Sequence, residues 1–311
     1  MNQVVPPLAQ GTLDRDAPTR LDEALLAEAW YDPRARLLRV RGAEIPVVGG
    51  SRLVLTATTG DWTPTAAAGP VGHVFLGRID GAPVFACAAA PGDPAAPAVA
   101  DNSPVSPAEA AEWHPIFEVA VQLEETEREL VAAASALLRW HESAEFSGAD
   151  GSRTRPAQGG WARLDDHGRE FFPRTDPAVI VLIEHDGRVL LGSNTLWETG
   201  RFSLLAGFVE AGESLEQAAR REVFEESGVR LGDVNYVASQ PWPFPRSLML
   251  GFHAFLAPGQ DPEALDPDVD EISELRWFSR DELLSPPPGI TLPGPLSIAR
   301  WMLDRWCEAG E

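Results

Sequence analysis

Residues 207–229 read GFVEAGESLEQAARREVFEESGV, and the spacing within this stretch decides the fold of the second half of the chain. Glu213, Arg221, Glu222, Glu225, Glu226 and Gly228 stand at fixed offsets after Gly207, with apolar Val223 and Val229 among them. From Ser214 to Glu226 neither Pro nor Gly interrupts a run dominated by Ala, Leu, Glu, Gln and Arg, so the segment is predicted to be helical. Ser214 with Gln217 offers an N-terminal capping box, and Gly228 supplies the stop. On that helix Glu222, Glu225 and Glu226 crowd one face, an arrangement that destabilises a helix through like-charge repulsion. Divalent cations would neutralise it, since Mg²⁺ typically binds a few carboxylates while keeping waters and substrate phosphates. Arg221 is placed to pair with a carboxylate and hold it in position. Gly207 lets the backbone turn sharply after the apolar run 202–206, where a carbonyl can reach the metal. A charge run is usually a solvated face. Chance acidity does not reproduce the glycine, arginine and apolar positions at their offsets.

The chain has 311 residues, a comfortable length for two domains. Its 47 Asp plus Glu against 25 basic residues give a net charge of -22, which excludes a broad basic surface for a nucleic-acid backbone. All 25 basic residues are arginines, so P-loop and Schiff-base lysines are excluded as well. Cys87 and Cys307 lie far apart with no metal-ligand spacing. With no signal-like N-terminus and no long apolar run, a cytoplasmic protein without membrane association is expected.

Residues 1–106 are expected to be β-rich, with strands at 37–40, 45–48, 53–55, 73–76 and 84–87. Residues 96–107 are expected to form a loop and 108–146 to be helical, with Leu130, Ala134, Leu137, Leu138 and His141 on one face. Trp30, Trp62 and Trp113 are expected in the core or an interface. Turn signals at Asp150-Gly151, Gly159-Gly160 and His167-Gly168 predict two hairpins in 147–173. Beyond Asp176, strands are expected at 178–184, 188–191, 202–206, 234–239, 248–256 and 275–278, with a final amphipathic helix over 296–307.

Residues 239–247 read SQPWPFPRS. Pro241, Pro243 and Pro245 stiffen the backbone and would present Trp242 and Phe244 at little ordering cost. Such a stretch alone is a rigid connector; close behind an acidic helix of this kind it is a candidate wall for a dinucleotide.

The pattern of 207–229 is that of the Nudix box. Together with SQPWPFPRS and the phrase FFPRTDPAVI (171–180), it makes the chain resemble the NADH pyrophosphatases of the Nudix superfamily, well over residues 137–311 and weakly over the first 106. The resemblance implies an α+β protein: a β-rich N-terminal domain (1–146) ending in a long helix, a zinc-ribbon-like hairpin segment (147–173), and a Nudix α/β/α sandwich (174–311). It implies cleavage of NAD(H) to nicotinamide mononucleotide and AMP with Mg²⁺ or Mn²⁺, removal of NAD caps from RNA 5′ ends, and a homodimer. The implied metal ligands are the Ala206 carbonyl, Glu222 and Glu226, with Glu225 as a further ligand or base and Glu271 as a late ligand. Gln240, Pro241, Trp242, Pro243, Phe244, Pro245, Arg246 and Ser247 would contact substrate, Phe172 would stack on a base, and Ala299 would offer a backbone contact. Either Glu225 or Glu226 fits the role of general base.

The chain departs from the family at its four-cysteine zinc site. Ser147, Asp150, Leu164 and His167 occupy those positions, so no structural zinc is expected and the segment is expected to hold its shape by packing around Trp161 and Phe171. Rival readings are a Nudix pyrophosphatase for ADP-ribose or nucleoside triphosphates, opposed by the intact SQPWPFPRS, and a non-catalytic ligand sensor, opposed by the complete set of box glutamates.

Overall fold

A computed structural model describes residues 5–60, 62, 72–95 and 111–310. The chain divides into two compact units: residues 10–174 with 243–246, and residues 175–242 and 247–311 with the N-terminal residues 1–9. The expected loop 96–107 lies outside the described residues.

In the first unit, a four-stranded sheet runs in the order Leu55–Ala57, Arg36–Val40, Ala82–Ala88, Val74–Ile79, with the middle pair parallel. Trp30 of the helix Glu23–Tyr31 is 1% exposed and packs edge-on to Phe85 at 5.0 Å, with Trp62 at 5.5 Å. Trp113 is half-buried, its indole N–H donating to the Asp93 carbonyl at 2.9 Å. The long helix is Glu125–Ser143, closed at its N-terminus by a capping box between Glu124 and Glu127. Its buried face includes Leu130, Ala134, Leu137, Leu138 and His141.

The helix does not reach back to residue 108. Glu112–Pro115 is a strand paired antiparallel with Glu44–Val48, and only a short helix, Ile116–Val119, stands between it and the long one. The alanine-rich sequence favours helix locally, but pairing with a distant strand overrides that preference.

Residues 147–173 form a three-stranded sheet of Thr154–Ala157, Ala162–Asp165 and Glu170–Phe171. Trp161 and Phe171 are half-buried, and Trp161 donates from its indole N–H to the Phe75 carbonyl at 2.6 Å, but much of the closure comes from polar side chains. Arg163 is fully buried; its Nε donates to Thr154 Oγ1 at 2.6 Å, its Nη2 to the Thr154 carbonyl at 2.9 Å, and its Nη1 faces His141 Nδ1 at 2.9 Å. An arginine can only donate, so His141 accepts at Nδ1 and donates from Nε2 to the Gly160 carbonyl, 2.8 Å away. Asp165 receives the N–H groups of His167 and Arg169, both at 2.9 Å, and the Arg169 Nε at 2.6 Å. The other end of Arg169 grips Asp150, which also takes the Ser152 hydroxyl at 2.7 Å. Hydrogen bonds from Ser152 first, and from Arg169, hold the Asp150 carboxyl well below the usual range. A cationic side chain thus ties together the two turns of this segment.

The His141 contacts carry a pH prediction. Burial, reinforced by the Arg163 charge and against the Gly160 hydrogen bond, pushes its imidazole from 6.5 down to about 4. A depressed histidine contributes stability that is complete above its unfolded value and is lost as pH falls toward the folded one. The first unit is therefore expected to lose up to about 3 kcal/mol between pH 6.5 and 4. Thermal melts of wild type and His141→Gln across that window check this: the wild-type slope should be steeper, and parallel slopes would remove His141 as the cause.

In the second unit, a six-stranded mixed sheet runs Leu231–Trp242, Ser247–Leu256, Asp176–His185, Arg188–Asn194, Ile272–Ser279, with Leu205–Phe208 also paired to Asp176–His185. The central strand Asp176–His185 pairs parallel with Ser247–Leu256 and carries the run AVIVLI, buried on both faces as a covered strand must be. Val179, Val181 and Ile183 point into one core with Ala218, Ala219 and Val223 of the helix Leu215–Ser227. Ile180 and Leu182 point into the opposite core with Trp301, Met302 and Trp306 of the helix Ile298–Glu308. The period-two alternation of one strand therefore builds both layers of the sandwich.

The strand expected at 202–206 is shifted to Leu205–Phe208; Phe202, fully buried, instead bonds through its N–H to the Thr291 carbonyl at 2.9 Å. Within SQPWPFPRS, Gln240, Pro241 and Trp242 end an edge strand, which tolerates the proline, and Trp242 pairs with Ser247 across a tip of residues 243–246. Among the described residues no helix is long and apolar enough to cross a membrane.

Candidate active site

The helix Leu215–Ser227 forms as its sequence dictates. Ser214 and Gln217 close a reciprocal capping box, and Gly228 ends the helix at φ 70°, where a Cβ would lie 2.8 Å from that of Asp266. The helix packs against Leu205–Phe208, so its acidic face meets the end of that strand.

Arg221 organises the cluster. Its Nε and Nη2 hold Glu213 in a fork at 2.6 and 2.8 Å, and Nη2 also donates to the Phe208 carbonyl at 2.9 Å. Its Nη1 reaches Glu225 and Glu222, both at 2.9 Å. Through these bonds Arg221, aided by the Glu210 N–H, holds Glu213 down at about 2. Glu213 is thus the anchor of the arginine, and the arginine in turn aims Glu222 and Glu225.

Glu226 is different in kind. It is 7% exposed, the Ala206 N–H donates to it, and its Oε2 is buried with no hydrogen-bond partner. Burial first, then the charges of Glu222 and Glu271, push its carboxyl up to about 8. Burial also raises Glu222, against the pull of Arg221. Glu271 lies in a turn after Asp268, its carbonyl accepting from the Thr195 N–H at 2.8 Å, within electrostatic reach of both glutamates. Gly207 completes the arrangement by absence of a side chain: a Cβ there would lie 2.0 Å from the Glu222 carboxyl carbon.

Among the described residues, no three His, Cys, Asp or Glu side chains already converge on one point at ligand distance. Arg221 draws Glu222 and Glu225 to itself, and the acids repel one another. An orphaned, buried carboxylate oxygen beside a second, half-buried carboxylate is nevertheless the donor set that a hard divalent cation fits, because the cation supplies the charge and the bonds that Glu226 lacks.

The remaining expected residues fall in three places. Gln240 is fully buried: its amide N–H groups donate to the Pro7 and Leu296 carbonyls at 2.7 and 2.9 Å, and its carbonyl accepts from the Ile298 N–H at 2.8 Å. It fastens the start of the last helix and has no open polar face. Ala299, 4% exposed, sits one residue further on, so only its backbone can meet a ligand. Pro241, Trp242 and Ser247 belong to this unit, whereas Phe172, 58% exposed, and Pro243, Phe244, Pro245 and Arg246 belong to the first unit. Phe208, 58% exposed and adjacent to Gly207, escaped the sequence analysis. An aromatic next to the box glycine, at the solvent end of a strand, was the available signal.

A helix carrying Glu222, Glu225 and Glu226, anchored by Arg221 and Glu213 against a glycine-ended strand in an α/β/α sandwich, defines a Nudix hydrolase, and a model of the NUDIX domain matches residues 173–298. The chain is 42% identical over 320 residues to the NAD-capped RNA hydrolase NudC of Mycobacterium bovis, covering 98% of this chain and 96% of that protein. It is 37% identical over 209 residues to the NAD-capped RNA hydrolase NUDT12 of Homo sapiens, covering 62% of this chain and 44% of that one. Among solved structures, a NUDIX hydrolase from Nitrosomonas europaea aligns with a TM-score of 0.43 and 23% identity, over 53% of this chain and 90% of that one. The chain belongs to the NAD-capped RNA hydrolase family of Nudix enzymes, the NADH pyrophosphatases.

Proposed function

We propose that this enzyme hydrolyses the central pyrophosphate of NAD(H), giving nicotinamide mononucleotide and AMP, and removes NAD caps from RNA 5′ ends. The observation that carries the site assignment is Glu226, a buried acid with an unpartnered oxygen beside Glu222, and the full-length similarity to NAD-capped RNA hydrolases supports the substrate.

Glu222 and Glu226 would hold Mg²⁺ or Mn²⁺, joined by the Ala206 carbonyl, with Glu225 and Glu271 as further ligands. Bound there, the cation supplies Lewis acidity and lowers the pKa of a water. The chain's own contribution is positional. Arg221 orients Glu222 and Glu225, Gly207 leaves room for the Glu222 carboxylate, and Glu225 or Glu226 accepts the proton of the attacking water. The water oxygen bonds to one phosphorus, the bridging P–O bond breaks, and the departing phosphate oxygen carries the electron pair. Phe208 offers an exposed ring for base stacking, and Trp242 and Ser247 a wall for the dinucleotide. Gln240 positions the last helix, whose first turn includes the Ala299 backbone. The active form is proposed to be a cytoplasmic homodimer.

Product analysis tests this reading. NADH incubated with the purified protein and Mn²⁺ or Mg²⁺ should give reduced nicotinamide mononucleotide and AMP, with ADP-ribose cleaved far more slowly. Intact NADH with metal present, or preferential cleavage of ADP-ribose, would overturn it.

A further inference from the structure

Glu222 and Glu226 stand on one helix, but Glu271 comes to them on the turn 268–271, from another part of the same unit. Ile272 sets the depth of that approach. It is 4% exposed and packs in one core with Leu205 and with Ala219 and Val223 of the helix. Glu271, the residue before it, is exposed, and its charge acts on both Glu222 and Glu226. The charge of Asp268 acts on Glu226 as well. An acidic turn beside acidic side chains is pushed away from them unless something fastens it.

Part of the fastening is internal. The Asp268 carbonyl accepts the N–H groups of Glu271 at 3.0 Å and Ile272 at 2.7 Å, and Asp268 Oδ1 accepts that of Asp270 at 3.0 Å. These bonds shape the turn without tying it to the rest of the unit. Thr195 supplies the tie. Its backbone N–H donates to the Glu271 carbonyl at 2.8 Å and its hydroxyl to the Asp270 carbonyl at 3.0 Å, so one residue holds two consecutive carbonyls.

Thr195 reaches them because the pairing of Arg188–Asn194 with Ile272–Ser279 shifts register at its end: Ser193 faces Glu274, and Asn194 faces Ile272. The skipped residue, Ser273, donates its hydroxyl to the Ser193 carbonyl at 3.0 Å and closes the bulge. Bulges re-aim the chain at strand ends and beside active sites. Asn194 then turns the chain, its Oδ1 and carbonyl accepting from the Leu196 and Trp197 N–H groups at 2.9 and 3.0 Å. Thr195 itself is exposed, so its side chain fills no core.

We propose that Thr195 is a positioning residue for the hydrolysis: by holding the Asp270 and Glu271 carbonyls it keeps the Glu271 carboxylate beside Glu222 and Glu226, ready for the cation. The proposal rests on the reading of Glu271 as a metal ligand. A carboxylate already in place loses less freedom when the cation binds, which raises affinity.

The test measures Mn²⁺ binding to the substrate-free protein by calorimetry, beside NADH turnover. It compares wild type, Thr195→Val, Thr195→Ser, Glu271→Gln and the double variant of Thr195→Val with Glu271→Gln. Valine keeps the shape and the backbone N–H but has no hydroxyl, whereas serine keeps the hydroxyl. Thr195→Val should weaken Mn²⁺ binding about fivefold, the order set by one hydrogen bond, and its deficit in turnover should shrink as Mn²⁺ is raised. Thr195→Ser should restore wild-type binding. In the Glu271→Gln background, Thr195→Val should have no further effect, because Thr195 acts through Glu271. Additive losses in the double variant would overturn the positioning role and leave the ligand reading standing. So would wild-type Mn²⁺ binding by Thr195→Val beside weak binding by Glu271→Gln. Wild-type binding by Glu271→Gln would overturn the ligand reading, and the role of Thr195 with it. Intact NADH in the wild-type reaction would overturn the proposed substrate, and the binding series would still decide Thr195.

Discussion

Glu226→Gln is expected to reduce NADH turnover by about 10³-fold while the metal-free protein melts at or above the wild-type temperature. Both halves follow from the same atoms. Glu226 is 7% exposed with one carboxyl oxygen unpartnered, so its negative charge is costly in the absence of a cation, and an amide of the same shape carries no charge to bury. With metal the balance reverses. Mg²⁺ should raise the melting temperature of wild type through binding to the native state, and should do so far less in the variant. Turnover within tenfold of wild type would remove Glu226 from the metal-binding set. A large drop in melting temperature would recast it as a structural residue.

The second large effect is expected from Gly207→Ala. A Cβ at this position would lie 2.0 Å from the Glu222 carboxyl carbon and 2.1 and 2.4 Å from its two oxygens. The backbone here lies in a conformation that alanine can adopt, so the clash is borne by the carboxylate and the strand end and not by a strained φ. Overpacking of this kind costs roughly 1–3 kcal/mol of stability. Its larger consequence is catalytic. Glu222 must turn away from the position that Arg221 gives it, and a displacement of about 1 Å is enough to lower the rate about 10²-fold. The expected result is a fall in kcat of that order with a folded protein by circular dichroism. Normal kcat would show that Glu222 acts from some other position.

The box was legible because every signal it needs is local: cap, propensity, stop and acidic face all fall within one helix. The sandwich was legible for a related reason, since the alternation of Val179, Ile180, Val181, Leu182 and Ile183 states which side each residue faces. What escaped was set by partners distant in sequence. The strand Glu112–Pro115 owes its existence to Glu44–Val48, and nothing in the intervening composition announces that pairing. Gln240 reads as a ligand contact because it stands in a motif with Trp242 and Phe244; only the positions of Pro7, Leu296 and Ile298 reveal that its amide is already committed. His141 was placed correctly on the buried face of its helix, but the arginine that meets it there, Arg163, comes from another element. A histidine on an apolar stripe is a sign that some polar partner must be buried with it, though not of which one.

The clasp of Arg169 across Asp150 and Asp165 also determines what the protein depends on in its surroundings. These ion pairs come from the chain's own side chains, so the closure they give does not itself require a metal. A chelator that stops turnover is expected to leave this fastening closed, so that a metal titration would read catalysis and not the integrity of this segment. An oxidant, likewise, meets Ser147, Asp150, Leu164 and His167 at these positions and finds no thiolate to convert.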